Sequence, residues 1–248
     1  MTRIVTACLV LAVAAGCGSS NGPRVQFEGP IGTGANAYYL YRPTGHTRAV
    51  VVYLHGLDES ELNPANHRPW LWHLAREGDA VVYPRYEAVP GAFGANRHIE
   101  IAVERALQRL KHPSLPIVVI GYSRGGRLGV EWAAVARAFD HAPRAVMSIF
   151  PGSVNPRMEE LIDLRALDPK TRLEVLVGEA DQRSGAQELL RRLEQAGFPA
   201  SQIDAVLVRS RKGFVADHFS VFQTSAAARN AFWDRADRMV ETAVRSSR

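Results

Sequence analysis

From about residue 25 the chain alternates between two hydrophobic rhythms. Short continuous runs of β-branched and apolar residues, such as AVVVYLHG (Ala49 to Gly56) and the PIVVIG run ending at Gly121, have the character of strands buried on both faces. Between such runs, apolar residues recur every three or four positions. In RHIEIAVERALQRLKH, Ile99, Val103, Ala106, Leu107 and Leu110 make a stripe down one side of a helix. VQFEG and NAYYLYRP read as an opening antiparallel pair, with Gly32-Thr33-Gly34 in the turn. Further strands are predicted in DAVVYPRY, which is stopped by Pro84, and in RAVMSIFPG, RLEVLVGEAD and DAVLVRS. WLWHLAREG predicts a helix ending at Gly78. Others are predicted from about Gly126 to Phe139, from Gly185 to Ala196 with Gly197 as its stop, and from about Ser225 to Val244. A short helical excursion is expected between Asn155 and Thr171.

Alternating strands and helices with short connections imply an α/β fold: a mostly parallel central sheet, helices on both faces and right-handed crossovers. The 248 residues, 46% hydrophobic and 22% charged, suffice for one domain with a substantial core, placed at residues 25–248. The formal net charge is +5, but the arginines are scattered and no run of like charge occurs. That pattern fits a solvated surface and argues against nucleic acid as a partner.

The first residues, MTRIVTACLVLAVAAGCGSSNGP, break the alternation. Arg3, the apolar stretch Ile4 to Ala15 and the small residues after it form a secretory signal pattern over 1–16, too short for a permanent membrane span. Ala14-Ala15-Gly16-Cys17 resembles a bacterial lipobox. On that resemblance Cys17 is lipidated and becomes the first mature residue, and 17–24 forms a flexible tether. The acyl chains would hold an exported protein on a membrane of the cell envelope. The plainer alternative is a cleaved signal with an incidental cysteine. Cys8 leaves with the signal in either case, so the mature domain has no disulfide, and a domain of this size needs none.

The chemistry-bearing stretch is LPIVVIGYSRGGRLGVEWAAVARAF, residues 115–139. A buried strand breaks into Gly121-Tyr122-Ser123-Arg124-Gly125 and a helix follows, which is the G-x-S-x-G pattern in a strand-turn-helix context. The sharp turn strains the serine backbone and pushes its hydroxyl above the C-terminal edge of the sheet. Gly121 and Gly125 let strand and helix approach closely, and the helix N-terminus aims unpaired N–H groups at developing negative charge.

At this point the chain from about residue 25 to 248 resembles the α/β-hydrolase family of serine esterases and lipases. The resemblance implies Ser123 as nucleophile, followed in chain order by an acid and a histidine. His218, in FVADHFS after the last predicted strand, matches the family's catalytic histidine; His141 lies in the connection to an earlier strand. Asp181, at the end of LEVLVGEAD, matches the acid, with Glu179 as runner-up in the same turn. His55-Gly56, at the end of AVVVYLHG, matches the oxyanion loop, so the backbone N–H groups of Leu57 and Arg124 are the implied oxyanion donors. His55 would hold that loop by hydrogen bonding. The implied chemistry is acyl transfer without metal or organic cofactor, most plausibly hydrolysis of a carboxylic ester by a monomer.

Two connections, 84–98 and 151–172, are expected to rise beside the site and form a rim or small flap. The Arg124 side chain either reaches an acidic substrate group or pairs locally. Trp70 and Trp72, two apart on a helix, cannot share one face. Thioester or amide cleavage, or acyl transfer, would use the same triad. A binding lipoprotein on a retired hydrolase fold is the reading from another class, and its warning sign would be a missing triad member.

Overall fold

The computed structural model describes residues 24–112, 114–155 and 159–247. The signal segment 1–16, Cys17 and the tether up to residue 23 lie outside the described residues. Eight strands form one sheet: β1 (Val25–Ile31), β2 (Tyr38–Pro43), β3 (Ala49–Leu54), β4 (Asp79–Pro84), β5 (Ile117–Tyr122), β6 (Ala145–Ile149), β7 (Arg172–Gly178) and β8 (Ile203–Val208), in the order β1-β2-β4-β3-β5-β6-β7-β8. The β1–β2 and β2–β4 pairs are antiparallel; every later pair is parallel. The C-terminal ends of β3, β5, β7 and β8 therefore share one edge. Val25 starts β1 at the opposite edge, opposite Pro43 and so near the start of β4.

Helices α1 (Arg68–Arg76), α2 (Ala95–Leu110), α3 (Arg124–Ala136), α4 (Ala186–Gln195), α5 (Ala226–Ala228) and α6 (Asp234–Arg245) cover the sheet. Strand β3 shows why its sequence is a continuous apolar run. Val50, Val52 and Leu54 pack towards α2 and α3, while Val51 and Tyr53 pack towards α1 and α6, and all five are fully buried. Each such side chain contributes about 1.5–3 kcal/mol by leaving water. Trp70 is buried and stacked on Trp233, with ring centroids 6.1 Å apart. Trp72 turns aside to meet Tyr41 edge-on, so the two tryptophans do separate.

Three segments differ from expectation. Helix α3 starts at Arg124, not near Gly126, because the turn at Ser123 passes directly into helix. The last helix is interrupted by a π-helical turn, Arg229–Trp233, in which Phe232 and Trp233 are both buried against Trp70. Between 155 and 171 the described residues hold only one 3-10 turn, Leu164–Ala166. Leu161, Leu164 and Leu167 repeat every third residue as a helix would, yet Leu161 is exposed while the other two anchor an irregular segment to the core. Side-chain caps replace helical bonds there: Asp163 accepts from the Arg165 N–H and Asp168 from the Lys170 N–H.

Candidate active site

Ser123 ends the β5 turn with φ 53° and ψ −120°, a conformation that L-residues rarely adopt. Four backbone hydrogen bonds hold it there. Its N–H donates to Ile149 O at 2.9 Å, and its carbonyl accepts from Gly126, Gly152 and Arg127 at 2.9, 2.8 and 3.3 Å. The two flanking glycines are sterically obligatory. A Cβ at Gly121 would sit 2.1 Å from Gly125 O, and one at Gly125 would sit 2.3 Å from the carbonyl oxygens of both Leu54 and His55.

The loop after β8 brings His218 to this serine, with Nε2 2.9 Å from Ser123 Oγ. The turn after β7 supplies Asp181, whose two carboxylate oxygens each lie 3.1 Å from His218 Nδ1. The Asp181 side chain is fully buried and also accepts from the Arg183 N–H at 2.8 Å, which fixes its rotamer. Glu179 points elsewhere: it accepts from the Ser210 N–H and pairs with Arg209 at the surface. Asp217 caps its own turn through the Phe219 N–H, and His141 pairs with Glu100. Of the groups nominated from sequence, the structure thus brings together Ser123, His218 and Asp181.

Leu57, Ser123 and Arg124 line one cavity of about 220 Å³ with Gly91, Gly152, Ser153, Asn155 and Glu159. Neither the Leu57 nor the Arg124 backbone N–H donates to an acceptor among the described residues. Helix α3 begins at Arg124, so its positive end also faces this space. A larger depression, about 560 Å³, lies at the opposite edge of the sheet between β6–β8 and α6, remote from Ser123.

The loop carrying Leu57 is tied down from several sides. His55 is fully buried and stacked on Tyr86, with centroids 4.1 Å apart. Its carbonyl accepts from the Gly125 N–H and from the Tyr86 hydroxyl. Both ring nitrogens face carbonyls, Nδ1 at 2.7 Å from Gly56 O and Nε2 at 3.0 Å from Arg85 O. Burial lowers the His55 pKa to about 4, outweighing these carbonyls, so the ring is neutral and donates once. The contact to Gly56 O is the shorter of the two. Glu61 and His67, which have no recognisable motif, complete the loop: the Glu61 carboxylate accepts from the Gly56 N–H at 2.7 Å and from His67 Nε2 at 3.1 Å.

The Arg124 side chain turns away from the cavity into a buried chain of charges. It pairs with Glu87 and Glu159; Glu159 also pairs with Arg127, Arg127 with Glu131, and Glu131 with Arg192. Local pairing is therefore its role. Burial pushes the Glu159 carboxyl up, but Arg124 and Arg127 outweigh burial and hold it below its ordinary value. For Glu87, burial outweighs Arg124 and raises it. This chain joins the 84–98 connection and the segment after β6 to α3, and both connections rim the cavity. Among the described residues no group of three or more His, Cys, Asp or Glu is placed to hold a metal ion, and no helix is long and apolar enough to cross a membrane.

No protein-family model and no curated protein matches the chain. Solved structures do resemble it. Esterase B from Lactobacillus rhamnosis, inhibited by a tributyrin phosphonate, superposes with TM-score 0.66 at 16% identity over 91% of this chain and 87% of that one. An esterase of Pyrobaculum calidifontis gives 0.62 at 21% identity, covering 90% and 87%. A Rhizomucor miehei esterase gives 0.64 at 15%, covering 91% and 86%. At such identities the likeness speaks for the fold, and the strand order, parallel core and serine turn described above make it an α/β-hydrolase fold.

Proposed function

We propose that the chain is a serine hydrolase that cleaves small carboxylic esters through an acyl-enzyme. One observation carries this reading: a strained serine bonded to a histidine that is bonded to a buried carboxylate, beside two backbone N–H groups that have no acceptor among the described residues. His218 Nε2 takes the Ser123 proton as Oγ attacks the ester carbonyl. Asp181 accepts the Nδ1–H, which sets the tautomer and stabilises the imidazolium. The Leu57 and Arg124 N–H groups receive the oxyanion. The tetrahedral intermediate collapses, and the alcohol leaves with the proton from His218. Water, deprotonated by the same nitrogen, then attacks the acyl-enzyme and releases the acid while Ser123 regains its proton. The esterase names of the structural relatives agree with this chemistry.

The cavity supports a small substrate. Its volume of about 220 Å³ falls below the roughly 300–1,000 Å³ of pockets that enclose drug-sized ligands. Ser153, Asn155 and Glu159 make part of its wall polar, and the exposed Leu57 and Phe219 offer apolar surface beside it and His218. Hydrolysis of p-nitrophenyl acetate, butyrate and palmitate by the parent and by Ser123→Ala tests both points. Turnover of the short esters, lost in the variant and weak on palmitate, is expected; a folded parent inert to all three overturns the proposal.

Export and lipid anchoring belong to the same reading. The basic, apolar and small-residue order of 1–17 supports them. Incorporation of labelled palmitate into the parent, and none into Cys17→Ser, is the expected outcome. Equal labelling of the two, or none in the parent, overturns the anchor.

A further inference from the structure

Gly56 and Leu57 leave the C-terminal end of β3 with no secondary structure to fix them, so the direction of the Leu57 N–H depends on the two soft dihedrals of Gly56. Each peptide flanking Gly56 is gripped by a different side chain. On the C-terminal side, His55 Nδ1 holds the Gly56 carbonyl at 2.7 Å. In a trans peptide C=O and N–H point opposite ways, so this bond also orients the Leu57 N–H. On the N-terminal side, Glu61 Oε2 holds the Gly56 N–H at 2.7 Å.

Glu61 is buried, and its grip is backed by a relay whose proton positions follow from donor chemistry. A carboxylate only accepts, so His67 Nε2 donates to Glu61 Oε2 at 3.1 Å. His67 Nδ1 shares a second hydrogen bond with the Tyr53 hydroxyl at 2.8 Å. The Tyr83 hydroxyl donates to the Glu61 backbone carbonyl at 2.7 Å and seats the residue from the other side. Tyr53, Tyr83 and His67 are all buried. There is no slack around the glycine either: a Cβ there would lie 2.9 Å from the Tyr122 ring and 3.0 Å from Glu61 Oε1.

We infer that Glu61, locked by His67, is a positioning residue that sets the direction of the Leu57 N–H and thereby the geometry of the oxyanion site. The inference rests on the esterase reading for its catalytic consequence and on the hydrogen bonds alone for its structural one. Without Glu61 the Gly56 N–H is left buried without its acceptor; the Gly125 N–H and the Tyr86 hydroxyl still hold the carbonyl of the same peptide, so the peptide tilts about that carbonyl to find another. Glutamine keeps an oxygen in reach of both donors and should preserve the grip.

The test compares the full chain with Glu61→Ala, Glu61→Gln and His67→Phe by two independent readouts. Amide NMR reports the Gly56 and Leu57 resonances. Steady-state hydrolysis of p-nitrophenyl acetate reports kcat and KM separately. Glu61→Ala should move both amide resonances and lower kcat about 10- to 100-fold at nearly constant KM, as expected when an oxyanion donor is misaimed. Glu61→Gln should restore both readouts, and His67→Phe should fall between them. Unmoved Gly56 and Leu57 amides in Glu61→Ala overturn the clamp, as does parental kcat in a variant whose amides have moved. Should Glu61→Ala not fold, Glu61→Gln and His67→Phe decide by the same criteria. A parent inert towards esters defeats the esterase reading instead, and the clamp then stands or falls on the amide resonances.

Discussion

Arg124 and Glu159 form a buried ion pair that joins the helix behind the candidate nucleophile to the segment walling its cavity. The backbone of Arg124 faces the cavity while its guanidinium is occupied by Glu87, Glu159 and the Ala92 carbonyl. Removing one partner from a buried pair leaves uncompensated charge, which costs about 3–5 kcal/mol. Arg124→Ala should lose roughly that much stability in urea unfolding. Glu159→Gln should lose less, since it leaves Arg124 paired with Glu87 and Arg127 with Glu131. Equal stability of Arg124→Ala and the parent would contradict the wall as described.

Asp181 and Glu179 sit in one turn but face different neighbours, so they separate cleanly by mutation. Asp181→Asn should lower kcat by about 10⁴ through the wrong His218 tautomer. Glu179→Gln should stay within a few-fold of the parent. The pair is compared by ester hydrolysis at fixed pH, and similar losses in both would contradict the assignment.

Gly121 and Gly125 lie where β5, α3 and the end of β3 meet with no room for a side chain. With backbone oxygens 2.1–2.3 Å from the position of an added Cβ, alanine at either site forces the backbone itself to move. Gly121→Ala and Gly125→Ala should each cost more than about 4 kcal/mol or abolish soluble protein. Gly45→Ala, with no atom within 4 Å of the new methyl, should stay within about 1 kcal/mol. Thermal unfolding of the three variants checks the contrast.

Asp79 gives the fold a pH dependence of defined sign. Burial raises its pKa from 3.8 to about 6, although Arg48 hydrogen bonds to it and opposes the shift. The folded state therefore binds this proton more tightly than the unfolded chain. Its stabilisation is complete below about pH 4 and is lost as pH rises to about 6, a change on the order of 3 kcal/mol. Relative to the parent, Asp79→Asn should gain stability steadily between pH 4 and 6 and hold a constant offset above 7. A flat difference across that window would contradict the shift.

Much of this was legible in the sequence because it depends on local rules. Continuous β-branched runs gave the parallel strands, three-and-four spacing gave α2, and Gly121 to Gly125 gave the serine turn. The resemblance to the α/β-hydrolase pattern then pointed to His218 and Asp181, whose loops the fold brings to Ser123. What could not be read depends on long-range packing. Leu161, Leu164 and Leu167 imitate a helix, but caps at Asp163 and Asp168 hold them in an irregular wall. Glu61 and His67 lie six apart in a loop with no periodicity, and only the Gly56 N–H gives their pairing meaning. Arg124 had two readings in sequence; two glutamates on distant segments, Glu87 and Glu159, decide between them.

The central claim is that Ser123 is activated by His218. Reaction of the purified chain with a fluorescent fluorophosphonate tests it most directly, because the reagent requires an activated serine and no knowledge of the substrate. Labelling of the parent, with loss in Ser123→Ala and in His218→Ala, is the predicted result. A folded parent that stays unlabelled, or a Ser123→Ala variant that labels as well as the parent, would contradict the account.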